Sequence, residues 1–301
     1  MYVADMHSDS LLTVNADCGL INDYNTSKKY PYLQFFAAFT PFEARSMDIR
    51  KKEVMKHLNV YAYECERLGI TKIEDVRGLY YATDNKLPSA MFTIEGGGGL
   101  LADSDELFTL YKAGLRIMGF AWDSNELASG ALSEIDDGLS DEGIRMARRC
   151  ADLGITIDVS HLSDKSFYDL LKHYPLPIIA THSNFRDVCP HKRNLTYDMA
   201  REIVARGGVI GLNLYPDFVK GENARIDDLI PHVEYHLERF DENSLAFGFD
   251  IDGTSGKYPL GINTNESIHD QVIDMLLSRY PVSIVEKIAG ENVINFLKGV
   301  L

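Results

Sequence analysis

Tyr2-Val3-Ala4-Asp5-Met6-His7-Ser8-Asp9 opens the chain. Its first five residues predict a short strand that runs straight into a histidine and an aspartate two positions apart. Alternate residues of a strand face the same side, so His7 and Asp9 leave the strand end together. An imidazole beside a carboxylate is half of a transition-metal site. On its own a His-x-Asp pair is no more than a solvated turn. It gains meaning because later apolar segments end in the same kind of donor.

Seven further strands are predicted, over 33–39, 90–94, 115–121, 155–159, 177–181, 209–214 and 245–249. Helices are predicted over 43–68, 104–114, 140–153, 164–174, 197–206, 226–240 and about 267–298. Ser104 is placed as an N-cap and Gly154 as a helix stop. Residues 13–32 and 122–137 read as long polar loops. The strands are short, almost continuously apolar and mostly separated by a helix, the pattern of a parallel sheet covered on its outer side. Eight is the number that closes a (β/α)8 TIM barrel, and no linker divides the 301 residues. The expectation is therefore one barrel domain over 1–301, with a doubly wound open sheet as the competing architecture.

Composition narrows the function. With 45 % hydrophobic residues the chain can bury a large core, and its net charge of −15 disfavours nucleic acid or an anionic membrane surface as partner. The four cysteines, Cys18, Cys65, Cys150 and Cys189, are scattered, with no C-x-x-C and no sign of a disulfide framework. No apolar run reaches the roughly 18–20 residues that cross a bilayer. A cytoplasmic location is the expectation.

The candidate donors are His7 and Asp9 after the first strand, Glu95 after the third, His161 after the fifth, His182 after the sixth and Asp250 after the eighth. The carboxyl ends of barrel strands share one rim, where residues far apart in sequence converge. Three imidazoles with two or three carboxylates suit Zn2+ better than Mg2+ or Ca2+. The set is too large for one four-coordinate ion and right for two divalent ions bridged by a carboxylate. Two ions roughly 3.5–4 Å apart promote metal-assisted hydrolysis; the donors do not name the bond.

Asp5-Met6-His7-Ser8-Asp9, Ile94-Glu95-Gly96-Gly97, Ile157-Asp158-Val159-Ser160-His161, Thr181-His182-Ser183 and Phe249-Asp250-Ile251-Asp252-Gly253 occur in the order and style of one family. Together they resemble the membrane (renal-type) dipeptidases, dinuclear zinc peptidases of the amidohydrolase-like barrels. The resemblance implies that His7 and Asp9 hold one zinc, His161 and His182 the other, and that Glu95 bridges them. It makes Asp250 the acid/base residue and Arg193 the grip on a substrate's terminal carboxylate, with Tyr215 lining the same pocket. It implies a dipeptide substrate, tolerance for a D-residue at its C-terminal position, and relatives that form homodimers.

Two positions depart from the family pattern. Trp122 stands where the family has a histidine that steadies the developing oxyanion, and an indole N–H donates one hydrogen bond but cannot become cationic. Trp122 is then expected to pack against substrate. Gly98 stands where relatives have histidine. A lactonase, deaminase or phosphoesterase on a similar barrel, and a binding protein that has lost catalysis, are the competing functions. Among the remaining candidates, His232 and His236 are expected on a solvated helix face. His57, His173, His191 and His269 have no evident partners, and Asp252 is expected to orient its own turn. Asp158 supports either His161 or the barrel interior.

Overall fold

A computed structural model describes residues 1–12, 29–39, 46–97 and 99–301. Nine strands are described: β1 (Val3–Asp5), β2 (Tyr32–Phe39), β3 (Thr71–Lys72), β4 (Ser89–Glu95), β5 (Ile117–Gly119), β6 (Thr156–Asp158), β7 (Ile178–Ile179), β8 (Ile210–Leu212) and β9 (Leu245–Phe247). All pair in parallel. Their order is β7-β6-β5-β4-β2-β1-β9-β8, with β3 attached to the start of β4. A parallel bridge between Ala180 and Ile210 joins the two ends, so eight strands form a ring. The fold is a (β/α)8 barrel, and the ring excludes the open-sheet alternative. The eight strands expected from the sequence are its eight staves; β3 was not anticipated.

Local chemistry explains the helices between them. Ser46, Ser104, Ser140, Ser163, Thr196 and Ser267 each accept a hydrogen bond from the backbone N–H three residues on, satisfying a donor the first turn leaves free. The helices Met47–Leu68 and Asp141–Leu153 stop at Gly69 and Gly154, whose φ of 65° and 71° is the left-handed geometry of a C-cap. The helix Val76–Asp84 was not anticipated either; it carries a glycine inside its first turn.

Alternation along the strands divides the core. Ala4, Leu33, Phe35, Met91, Ile117, Ile179 and Ala246 pack with Val293, Phe296 and Leu297 of the last helix, Asn292–Val300. Phe36, Phe92, Ile157 and Phe247 belong to a larger cluster with the surrounding helices. The carboxyl ends of the strands are left for polar residues. None of the described helices is long and apolar enough to cross a membrane. Cys18 and Gly98, and the loop expected over 13–32 except for its last four residues, lie outside the described residues. Cys65, Cys150 and Cys189 are buried free thiols.

Candidate metal centre

The polypeptide leaves β1 at Asp5, and His7 and Asp9 follow within one turn of chain. Both are almost fully buried, at 2 % and 6 % exposure. Glu95 is the last residue of β4. His161 and His182 follow β6 and β7, and Asp250 follows β9. His161 and Asp250 have φ of 74° and 61°. A non-glycine residue in this region costs of order 1–3 kcal/mol and persists where surrounding contacts hold it. Here both strained residues turn their side chains to the rim.

The side chains meet. Glu95 Oε1 lies 2.6 Å from His161 Nε2 and 3.4 Å from His182 Nε2, and those two nitrogens are 2.9 Å apart. Glu95 Oε2 lies 3.7 Å from His7 Nε2. His7 Nε2 is also 3.8 Å from Asp9 Oδ1 and 3.9 Å from Asp250 Oδ1. Donors roughly 2.0–2.1 Å from a shared tetrahedral ion stand about 3.4 Å from one another. The pairs at 3.4–3.9 Å are near that spacing, and those at 2.6 and 2.9 Å are tighter. The groups whose donor atoms converge on one point are His7, Glu95 and His182, and His7, Asp9 and Asp250. His7 Nε2, Asp9 Oδ1 and Glu95 Oε2 are buried with no hydrogen-bond partner among the described residues. Unpaired buried polar atoms are rare, and three converging ones make a candidate ligand set.

Hydrogen bonds fix which ring nitrogens face the centre. His161 Nδ1 donates to the Trp122 carbonyl at 3.2 Å. His182 Nδ1 lies 2.8 Å from Thr181 Oγ1, which donates to Asp158 Oδ2 at 2.5 Å. A hydroxyl has one proton, so Thr181 accepts from His182 while it donates to Asp158. Both histidines then present a bare Nε2, the form that binds metal. Asp158 thus supports His182 through Thr181, a partner outside both expectations from the sequence, His161 and the barrel interior.

The electrostatics carry the same message. Burial pushes Glu95 up to about 7, with Asp250 adding to the rise and His7 opposing it. Burial pushes Asp9 up to about 6, with Glu95 adding repulsion, and burial also raises Asp250. For His7, burial alone would lower the pKa, but Glu95, Asp9 and Asp250 together lift it to about 10. Burial holds His161 and His182 well below the usual histidine range, helped by Arg193 and His7 respectively. Three desolvated carboxylates beside two neutral imidazoles draw a proton onto His7, and the cluster calls for cationic charge.

A cavity of about 500 Å³ opens over this cluster, its wall including Trp122, Asp123, Leu132, Arg193, Tyr215 and Phe218. Arg193 is 4 % exposed, its guanidinium stacked 5.3 Å from the Phe218 ring. Its Nε and Nη2 have no hydrogen-bond partner among the described residues. Trp122 is partly exposed, its ring edge-on to Phe39 at 5.2 Å. Gly253 packs under the carboxylates: a Cβ there would lie 2.0 Å from Asp250 Oδ1 and 2.4 Å from Asp9 Oδ2, so no side chain fits.

All nine residues singled out from the sequence gather at this rim. Asn213 was missed. Its Nδ2 donates to Asp250 Oδ2 at 3.0 Å and its Oδ1 accepts from Tyr215 N at 2.5 Å. The strand expected over 209–214 places it inside the strand; β8 ends at Leu212, so Asn213 directly follows it at the rim. Asp252 accepts a hydrogen bond from Ser10 Oγ at 2.6 Å and so ties its turn to the first strand's loop. The expectation for His232 and His236 is corrected. Both are fully buried, bonded to Val219 O at 2.9 Å and to Asp241 O at 3.1 Å, and are structural. His269 is corrected too, for it is buried 2.7 Å from Asp5 Oδ2.

Comparison with known proteins gives the lineage. The family model for the membrane dipeptidases, peptidase family M19, matches residues 12–300. The uncharacterized protein of the pqqA 5′ region of Klebsiella pneumoniae is 32 % identical over 227 residues, 68 % of this chain and 84 % of that protein. Dipeptidase tcpJ of Claviceps purpurea is 29 % identical over 70 % of this chain and 51 % of its own length. Among solved structures, a metallopeptidase from Rhodobacter sphaeroides, liganded with a phosphinate mimic of the dipeptide L-Ala-D-Ala, superposes with a TM-score of 0.86. It is 22 % identical, with 100 % of this chain and 99 % of that one covered. The crystal structure of dipeptidase AC, of family M19, gives a TM-score of 0.87 at 22 % identity, covering 100 % of this chain and 98 % of that one. The chain belongs to the membrane dipeptidase family of metallopeptidases, peptidase family M19.

Proposed function

We propose that this metallopeptidase hydrolyses the single peptide bond of dipeptides, including those with a D-residue at the C-terminal position, with two divalent ions, Zn2+ the best suited. The observation that carries this reading is Glu95, whose two carboxylate oxygens face two separate sets of donors. His7 and Asp9 would hold one ion and His161 and His182 the other, with Glu95 shared. When bound, the pair supplies a nucleophile from water at neutral pH and polarises the scissile carbonyl.

The chain's own groups do the rest. Asp250, its Oδ2 held by Asn213, takes the proton of the attacking water and returns it to the leaving amine. Its raised pKa suits a group that must both accept and donate. Arg193 meets the substrate's terminal carboxylate with a guanidinium whose Nε and Nη2 have no partner among the described residues, and a fork of N–H donors matches that anion. Tyr215 and Phe218 form the wall behind it. Trp122 and Leu132 offer an apolar wall for a side chain. The D-residue reading draws support from the L-Ala-D-Ala mimic bound by the Rhodobacter sphaeroides relative.

The test is elemental analysis of the purified protein, followed by L,L- and L,D-dipeptides with the metal found. Two ions per chain and turnover of both series are expected. Failure on every dipeptide, with turnover of a lactone or phosphoester, would replace the reading. Arg193→Lys should lower kcat/KM for free dipeptides by about 10–100-fold, the worth of a charge-assisted pair. Dipeptide amides, which lack the carboxylate, should lose little; an equal loss on both would remove Arg193 from this role.

A further inference from the structure

Asp5 and His269 form a buried hydrogen-bonded pair that the proposed mechanism does not use. They are 264 residues apart, with Asp5 1 % and His269 0 % exposed. Burying a carboxylate is expensive unless its oxygens are all served, and here they are. Oδ2 accepts from His269 Nε2 at 2.7 Å. Oδ1 accepts from two backbone N–H groups, His7 N and Phe249 N, each at 3.1 Å.

Those two amides belong to different strand ends. One is the backbone of His7, two residues before Asp9. The other immediately precedes Asp250. The strands concerned, β1 and β9, meet at a thin seam with one register pair, Asp5 to Phe247, whereas β1–β2 and β8–β9 have three each. Backbone bonds resume above the seam, with Asp9 N donating to Ile251 O at 2.8 Å. Between, the Asp5 carboxylate replaces the missing rung. His269 holds that carboxylate from the first turn of the outer helix Ile268–Leu277, and its ring packs 4.9 Å from Phe249.

We propose that Asp5 and His269 are positioning residues: through one carboxylate they set the distance between the strand end that bears His7 and Asp9 and the strand end that bears Asp250. The inference rests on the site reading above, in which His7 and Asp9 hold one ion. It predicts an uneven effect on metal. Loosening the seam shifts His7 and Asp9 but leaves His161, His182 and Glu95 on their own strands.

The experiment titrates metal-free protein with Zn2+ against a chromophoric chelator, well below the unfolding temperature, for the parent and three variants. His269→Leu leaves Asp5 Oδ2 without its donor. One of the two Zn2+ affinities should fall by about 10–100-fold, the usual effect of removing an outer-shell partner, while the other stays within about twofold. His269→Gln, whose amide can still donate to Asp5, should restore both. Should His269→Leu fail to fold, Asp5→Asn keeps an acceptor for the two amides but turns an N–H2 toward His269, and should show the same one-sided loss. A purely structural pair would lower the unfolding midpoint and leave both affinities and kcat at parental values; that result overturns the proposal, as does an equal loss at both sites. Dipeptide turnover by the parent is scored separately. A parent that binds two Zn2+ yet cleaves no dipeptide sinks the proposed substrate and leaves this titration decisive.

Discussion

Thr181 has one hydroxyl proton, and its direction decides the state of its neighbour. The proton goes to Asp158 Oδ2, so the His182 Nδ1–H must be the donor to Thr181, and the His182 Nε2 lone pair is left facing Glu95. Asp158 is itself held in place by the backbone N–H groups of Ser160 and Thr181, both at 2.9 Å. Thr181→Val preserves the shape and removes the link. It leaves a buried carboxylate oxygen and a ring N–H unpaired, so the variant should lose about 1–3 kcal/mol of stability for each. Zn2+ affinity should fall about 10–100-fold. Urea unfolding and a Zn2+ titration read the two effects. Parental affinity in the variant would mean that the relay does not orient the ring. Trp122 acts differently on His161, through its backbone carbonyl, so its side chain is free to vary while that anchor is kept. A tryptophan can therefore occupy the position without disturbing the ring it supports.

Whole strands were legible where burial on both faces makes them continuously apolar, as in Ser89–Glu95 with every residue buried. The polar pair Thr71–Lys72, half-exposed on its way to β4, gives no such signal and went unread. The donors were legible because each follows a strand, and a barrel brings strand ends together. What spacing did not reveal was the reason a polar side chain is buried. On the helix Ile230–Arg239, His232 and His236 look like a surface pair four residues apart. Their partners come from elsewhere: Val219 O and Phe185 N for His232, Asp241 O and Ser244 Oγ for His236. Asp5 and His269 were unreadable for the same reason, since the bond spans nearly the whole chain. The helix offers a direct check. His232→Leu strands the Phe185 N–H and the Val219 carbonyl, at a cost of about 1–3 kcal/mol each. It should leave Zn2+ stoichiometry unchanged, and a lost ion would mean that this helix binds metal after all.

The barrel as a whole concentrates acid at one rim, and that has a consequence for stability against pH. In metal-free protein, Asp9 and Glu95 keep their protons up to about pH 6 and 7, while the same groups in the unfolded chain release theirs near 3.8 and 4.5. At these two carboxylates the native state binds more protons between about pH 4 and 7, so their contribution to stability falls as pH rises through that window. His161 and His182, held well below the usual histidine range, contribute in the opposite sense below about pH 6.5. His7, lifted from 6.5 to about 10, extends the fall on the alkaline side. Metal reverses this dependence, because ligands bind it deprotonated and the protons leave as it enters. At free metal about 100 times Kd, each site adds about 2.7 kcal/mol. With about 2.1 cal/mol/K of unfolding entropy per residue, that is about 4 °C per site for a chain of this length. Chelation should thus lower the thermal midpoint by about 8 °C at neutral pH when two ions are lost. The gap between loaded and chelated protein, followed by calorimetry, should widen from pH 5.5 to pH 8. A gap that stayed constant over that range would mean that Asp9, Glu95 and His7 do not exchange protons for metal, and the clustering of charge at this rim would need another explanation.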